Sequence, residues 1–318
     1  MNPPDISVVM GVYNNGNTLP AALESILSQE EVALEFIVVD DGSTDGCAAL
    51  LDEAARKDPR LKIVHKKNEG LTRALIKGCA LASAPWIARQ DADDISRPGR
   101  LKAQLDRARQ TDAPVLVGCG ARICSPAGET LMEIHPPTEA TAARRRVLEE
   151  GQAISPHGSI LFSRVAYAEC GGYREVFYYA QDIDLTTRLA EKGPVSAVPK
   201  LLYEYRYSPS ALSGIHGRFQ REFYRLIRNG HSLRSRGMSE QVLLEEAERV
   251  RQECLRQRGR ARGPSFEGLY FIGTCLLTPQ PGRAAAYFRQ ALGIHPWSTK
   301  ALLRWGQALW RYRMGRQA

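Results

Sequence analysis

Three short apolar runs near the N-terminus each stop at a polar cluster, and helix-patterned segments separate them. Ile6-Ser7-Val8-Val9-Met10 ends at Gly11 and Asn14-Asn15-Gly16. Phe36-Ile37-Val38-Val39 runs into Asp40-Asp41-Gly42-Ser43-Thr44-Asp45, and Trp86-Ile87-Ala88 leads to Asp91-Ala92-Asp93-Asp94. A fourth strand-like run, Leu61-Lys62-Ile63-Val64, lies between the second and third. The intervening segments read as helices. Thr18 can cap the first, with Pro20 in its first turn and Leu19, Leu23, Ile26 and Leu27 on one face. Ala48 to Ala55 forms the second, and Leu71 to Ala82 the third, with Leu71, Leu75 and Cys79 on one face. This β-α-β-α-β-α-β order predicts a mostly parallel sheet covered by helices on both faces. Right-handed crossovers place the carboxyl ends of the strands along one edge, where open α/β sheets bind ligands.

The middle of the chain is less regular. Val115–Gly118, Gly158–Phe162 and Leu201–Tyr207 read as strands, and Asp182–Glu191 as a helix ending at Gly193. From about residue 216 the pattern is helical. Charge divides the chain at nearly the same place. Residues 1–214 carry 24 Lys/Arg and 28 Asp/Glu, whereas 215–318 carry 19 and 7. The expected organisation is an α/β domain over 1–214 and a basic α-helical region over 215–318. Within the latter, Ala284, Phe288, Ala291 and Pro296, then Leu302, Trp305, Gly306 and Leu309, follow tetratricopeptide-like spacing. That covers too few units for a solenoid and equally describes an amphipathic helical hairpin.

Seven cysteines, an odd number without disulfide or zinc spacing, read as reduced thiols. The N-terminus lacks the basic and apolar regions of a secretory signal. The expectation is a cytoplasmic chain, peripheral to a membrane at most.

Asp91, Asp93 and Asp94 pack three carboxylates into four residues. Such charges repel unless a cation or hydrogen bonds compensate. Hard oxygen donors suit Mn²⁺ or Mg²⁺, which are commonly held by one or two carboxylates and substrate phosphates. Asp40-Asp41 also has a plain alternative, a turn that caps the following helix.

These residues resemble a known family. Ser7 to Asn14, Glu24 to Gln29, Val38 to Asp45, Asn68-Glu69-Gly70-Leu71 and Ile87 to Asp94 are similar, in this order, to family 2 inverting glycosyltransferases of the GT-A fold. Pro98 with Arg100-Leu101, His157-Gly158-Ser159, Gly171-Gly172-Tyr173 and Asp182-Ile183-Asp184-Leu185 continue the match, which spans about residues 5–214. The resemblance implies transfer of a sugar from a nucleotide-sugar donor, a UDP-sugar in the simplest case, to a hydroxyl acceptor. Gly11, Tyr13 and Asn14 would line the nucleotide pocket, and Asp41 would accept from the base. Arg73 would lie near the base or diphosphate. Asp93 would ligate the metal, with Asp91 facing the ribose or the metal's waters. Asp182 would be the catalytic base. His157 would shape the acceptor pocket or serve as a structural histidine at a strand start.

The chain departs from the family pattern twice. Gln181 stands where a glutamate usually precedes the base, which makes Asp184 a rival to Asp182. The histidine that often follows the last strand is missing after Tyr205-Arg206, leaving His216 or water to fill that role.

Two other functions compete. A sugar-phosphate nucleotidylyltransferase would carry a basic Gly-rich loop after the first strand, yet Gly11 to Asn17 contains no basic residue. A non-catalytic sugar-nucleotide-binding or scaffold protein would accommodate Gln181. The tail arginines, 218, 221, 225, 228, 234 and 236, then 249, 251, 256, 258, 260 and 262, suit an anionic lipid surface or form a solvated helix face. No nucleic-acid recognition motif accompanies them.

Overall fold

The computed structural model describes residues 3–209, 217–257 and 263–314. In chain order the first elements are β1 (Ile6–Val12), α1 (Leu19–Leu27), β2 (Leu34–Asp40), α2 (Cys47–Lys57), β3 (Leu61–His65), α3 (Leu71–Leu81) and β4 (Trp86–Arg89). There follow β5 (Ile95–Ser96), α4 (Arg100–Ala108), β6 (Leu116–Cys124), β7 (Thr130–Ile134) and α5 (Ala140–Leu148). A 3₁₀ turn (His157–Ser159), β8 (Leu161–Ser163), α6 (Arg164–Glu169), α7 (Gln181–Lys192) and β9 (Val195–Arg206) come next. The remaining helices are α8 (Gly217–Arg234), α9 (Gln241–Gln257), α10 (Phe266–Leu276), α11 (Pro281–Ile294) and α12 (Thr299–Met314).

One mixed sheet runs β3-β2-β1-β4-β8-β6-β9-β5, with β7 on β6. β1 pairs in parallel with β2 on one side and β4 on the other. Strand order therefore reverses at β1, and the carboxyl edge of β1 and β4 is the kind of crevice where open α/β sheets bind ligands. β8 is antiparallel to β4 and to β6. The apolar runs are strands because both sheet faces are covered. Val8, Met10, Phe36 and Val38 enter one buried cluster, while Val9, Ile37 and Val39 enter the other. Alternate residues point to opposite faces, so a continuous apolar run supplies both cores.

Several local expectations are corrected. Thr18 does not cap α1 through its side chain; its hydroxyl donates to the carbonyls of Asn15 and Ala92. Leu71 is not part of the buried face of α3 but is exposed, while Leu75 and Cys79 are buried. His157 opens a 3₁₀ turn rather than a strand. Ser159 donates to the Pro156 carbonyl through both its amide and its hydroxyl, which closes the turn before β8 begins.

The chain groups into two compact units. The first comprises Met1–Arg122, Glu133–Tyr205 and Glu222–Arg251. In it Phe223 of α8 meets Phe177 edge-on, with ring centroids 6.1 Å apart. The second comprises Ile123–Met132, Arg206–Arg221 and Gln252–Ala318. Its helices α10, α11 and α12 pack consecutively, with Phe266, Leu269, Ala291 and Ala301 in one apolar cluster. Ala284 and Phe288, at the tetratricopeptide-like spacing, are buried on α11.

Glu35 anchors the opposite end of the sheet from the crevice. It lies buried within β2 and accepts from Ser7 Oγ at 2.5 Å, Lys62 Nζ at 2.6 Å, and the amide and hydroxyl of Ser83 at 2.8 and 2.7 Å. Burial alone would raise its pKa, but these donors outweigh it and hold the carboxyl at about 2. A depressed carboxylate stabilises the fold above its unfolded pKa and loses that contribution as pH falls through the folded value. Glu35→Gln is expected to cost on the order of 3 kcal/mol at pH 7. The gap should close between about pH 4.5 and 2 in urea unfolding curves; a pH-independent gap would refute the assignment.

Candidate active site

The crevice between β1 and β4 collects most of the expected residues. At the end of β1, Asn14 adopts a left-handed conformation with φ of 55°. Its side-chain oxygen accepts from the Thr44 amide at 2.8 Å, and its own amide donates to Ser43 Oγ at 3.1 Å. Asn14 thus ties β1 to the turn after β2. Gly11 lies under Leu71, whose Cδ1 would stand 2.9 Å from a Cβ there. Tyr13 is exposed at the mouth.

The two aspartates after β2 divide their work. Asp40 closes its own turn, accepting from the Ser43 amide at 2.9 Å and pairing with His65 at 2.9 Å. Asp41 instead accepts from the amides of Glu69 and Gly70 at 2.9 and 2.7 Å and from Lys66 Nζ at 2.6 Å. It thereby fixes the turn that starts α3. Arg73, one turn into α3, is held by Glu175 at 2.7 Å and Glu69 at 3.1 Å.

At the end of β4 the acidic turn is braced from below. Buried Gln90 donates through Nε2 to the carbonyls of Asp91 and Asp94, both at 3.0 Å, and accepts from Ser96 Oγ at 2.6 Å. Arg89 is fully buried. Its guanidinium donates to the Val9 carbonyl at 2.7 Å, the Gln90 carbonyl at 2.9 Å and Asp91 Oδ1 at 2.5 Å. Asp91 Oδ2 has no hydrogen bond among the described residues, and Gly158 stands against it. Asp93 is half-buried on the same turn.

Three further groups close on this turn. Tyr203 of β9 is buried and its hydroxyl accepts from the Asp91 amide at 3.3 Å. His157 pairs through Nε2 with the Tyr173 hydroxyl at 2.7 Å. Burial and the nearby Arg89 guanidinium push His157 down to about 3, so it is neutral at physiological pH. Asp182, in the first turn of α7, is raised above the ordinary aspartate range. Burial is the main cause and the Asp91 charge adds to it, while helix amides and Arg89 oppose. An aspartate so placed retains basicity near neutral pH.

Asp184 is occupied elsewhere. It is buried, and its two oxygens are clamped by Arg174 and Arg188, the latter at 2.5 Å. The rival carboxylate is a structural ion-pair centre. His216 lies outside the described residues.

The acidic turn could hold a divalent cation only in part. Among the described residues no group of three His, Cys, Asp or Glu converges as a protein-only cage. Asp91 and Asp93 offer hard oxygen donors at a point where a diphosphate could complete the shell, which fits Mn²⁺ or Mg²⁺.

Comparison with known proteins decides the family. The model for "Glycosyl transferase family 2" matches residues 7–171, a span that holds the β1–β4 crevice, the acidic turn and His157. The chain belongs to this family. Its relative EpsE of Bacillus subtilis is 34% identical over 194 residues, covering 60% of this chain and 68% of EpsE. The succinoglycan biosynthesis protein ExoO of Rhizobium meliloti is 40% identical over 124 residues, 37% of this chain and 35% of ExoO. Solved structures show the GT-A fold. Residues 1–349 of S. aureus TarS in complex with UDP align with TM-score 0.57 and 16% identity, covering 98% of this chain and 92% of that one. The mannosyltransferase PcManGT of Pyrobaculum calidifontis, in complex with GDP-Man and Mn²⁺, aligns with TM-score 0.54 and 16% identity, covering 97% and 87%.

Sequence reasoning missed several residues of this glycosyltransferase site. Arg89 had a signal: it is two residues before Asp91, hence on the same side of an extended strand, and a charge in a buried strand needs a partner. Tyr203 and Tyr173 had none, because they arrive from distant elements. Tyr224 of α8 also lies beside Asp182; burial, with the Asp182 charge, pushes its hydroxyl up to about 12.

Proposed function

We propose that this glycosyltransferase is inverting and uses a nucleotide-diphosphate sugar, a UDP-sugar first, with Asp182 as base. The observation that carries the reading is Asp182 itself. It shares the crevice with Asp91 and Arg89 and is raised in pKa, whereas Asp184 is committed to two arginines. Asp182 takes the proton of an acceptor hydroxyl as its oxygen attacks C1 of the donor sugar. The C1–oxygen bond to the diphosphate breaks on the opposite face, and the diphosphate departs with that electron pair. One displacement with one base inverts the configuration.

Tyr13, exposed at the mouth, is suited to stack on a base, and Asp41 Oδ2 retains acceptor capacity for a base N–H. Asn14 and Gly11 keep the β1 end in place, and Gly11 allows close approach. A diphosphate would compete with Glu69 and Glu175 for Arg73. Neutral His157, near Asp91, and Tyr224, near Asp182, would shape the acceptor side. Mn²⁺ or Mg²⁺, held by Asp93 and Asp91, would offset the charge that develops on the diphosphate. The acceptor is a glycan or lipid-linked sugar of cell-surface polysaccharide or glycolipid synthesis, a role that the name of ExoO supports.

Calorimetry tests the donor and metal assignments together. UDP should bind at least tenfold more tightly with Mn²⁺ present, and Asp93→Ala should abolish that gain while leaving metal-free binding intact. Affinity indifferent to both metal and Asp93→Ala would remove the metal role from the acidic turn.

A further inference from the structure

Three of the arginines that first suggest an anionic partner are committed to glutamates. Arg225 pairs with Glu222 and Glu246, Arg234 with Glu191 and Glu240, and Arg251 with Glu248 and Glu175. Arg258, Arg260 and Arg262 lie outside the described residues. A second basic surface lies on α12 in the second unit.

After Glu267 the sequence contains seven Lys/Arg and no Asp or Glu. On α12 the inward face is set by Ala301 and Ala308, both buried. The opposite face carries large apolar side chains in water: Leu303 is 70% exposed, Trp310 63% and Met314 50%. Their spacing of seven and four residues aligns them as one stripe. Lys300, Arg304 and Arg311, spaced by four and seven residues, border the stripe on one side, with Arg313 on the other. None of the four pairs with a carboxylate among the described residues. Arg304 donates to Gln307 Oε1 and Arg311 to Thr278 Oγ1, while Lys300 lies over the rings of Phe266 and Tyr270. In the loop before α12, Trp297 is 92% exposed.

We propose that the outer face of α12, with Trp297, docks on an anionic lipid bilayer. An apolar stripe with Trp, bordered by cations, is suited to lie in the headgroup plane: the apolar groups enter the acyl boundary and the guanidiniums meet phosphate, while Glu267 is exposed near Trp297 at its edge. A solvent-facing helix would not present Leu, Trp and Met in line. A second copy of the same face would bring cations against cations, which opposes self-pairing. Among the described residues no helix is long and apolar enough to cross a membrane, so the attachment is peripheral.

The test uses the full chain and sedimentation with vesicles of phosphatidylglycerol and phosphatidylcholine, and with phosphatidylcholine alone. The chain should partition at least tenfold more strongly onto the anionic vesicles and be released by about 0.5 M salt. Tryptophan emission should shift to the blue on binding. Arg304→Gln with Arg311→Gln should weaken partitioning about thirtyfold, and Leu303→Ser with Trp310→Ser should weaken partitioning and reduce the emission shift to what Trp297 contributes. Leu303, Trp310 and Arg311 are exposed and Arg304 is half-buried without an ion pair, so the melting temperature should change little. Arg225→Gln, whose partners are glutamates, should partition like the parent. Equal partitioning onto neutral vesicles, none onto anionic ones, or indifference to the α12 variants would overturn the proposal. So would self-association lost in the same variants without vesicles, which would make the face a protein interface.

Discussion

Asp182→Asn is expected to lower kcat by about 10² or more while UDP affinity stays within a few-fold of the parent. The substitution keeps the shape of the side chain and removes its basicity. In the parent, the acid limb of kcat/KM should lie above the ordinary aspartate range, because burial and then the Asp91 charge disfavour the ionised form. Activity rises with pH through that limb as the base loses its proton. Stability runs the other way. A carboxyl raised in the folded state holds its proton longer than in the unfolded chain, so its ionisation destabilises the fold as pH climbs past the unfolded value. Asp182→Asn should therefore melt higher than the parent at pH 8 and equally at pH 4. Asp184→Asn should melt lower than the parent. It leaves the buried Arg188 without its carboxylate and Arg174 with Glu240 alone, at a cost of about 3–5 kcal/mol in unfolding free energy. Residual turnover of the folded Asp184→Asn fraction near the parent value, with Asp182→Asn silent, supports the assignment. The reverse pattern would transfer the base to Asp184.

The contrast between these two residues shows what a sequence carries. Both stand in the first turn of a helix, two positions apart, after a Gln where a Glu is usual. Nothing local separates them. They are told apart by Arg174 and Arg188 on one side and by Asp91 and Arg89 on the other, and Arg89 and Asp91 come from β4, some ninety positions earlier. Asp40 and Asp41 make the same point. The turn-former reading holds for Asp40, whose Ser43 partner is three residues on. Asp41 takes Lys66, Glu69 and Gly70, all supplied by the parallel arrangement of β2 and β3.

By contrast, the first four strands and the helices between them were legible, because a run buried on both faces must be apolar throughout. The ends were less so. β1 continues through Gly11 and Val12, and β9 starts six residues before the expected point, at Val195. Pro199 and Lys200 interrupt the apolar pattern of β9 without ending it, both being exposed within the strand. The basic tail was legible as composition only. Which arginines are neutralised depends on where α8 and α9 meet Glu191, Glu175 and one another.

Gly158→Ala is expected to disable the enzyme more thoroughly than its single methyl suggests. A Cβ at residue 158 would lie 1.9 Å from the Tyr203 hydroxyl, 2.7 Å from Asp91 Oδ2 and 2.9 Å from Tyr203 Cζ. None of these neighbours can yield easily. Tyr203 is fully buried under the Arg100 guanidinium, 5.4 Å from its ring centroid, and its hydroxyl accepts from the Asp91 amide. Residue 158 is itself pinned, since its carbonyl accepts from Arg100 Nη1 at 3.0 Å, and Arg100 forms no ion pair with a carboxylate among the described residues. Relief must come by moving the acidic turn or by breaking the bond to a buried cation. Overpacking of this kind costs about 1–3 kcal/mol. A shift of about 1 Å in a substrate-positioning group costs about 10² in rate, here on the carboxylate beside the base. Gly158→Ala should thus lower kcat/KM by about 10² and the melting temperature by several degrees. Adding Tyr203→Phe deletes the atom at 1.9 Å but leaves the ring carbon at 2.9 Å. The double variant should regain part of the stability and part of the metal-enhanced UDP binding, and less of the turnover. A Gly158→Ala enzyme with parental kcat/KM and melting temperature would mean that Asp91 and Tyr203 do not stand where this site requires them.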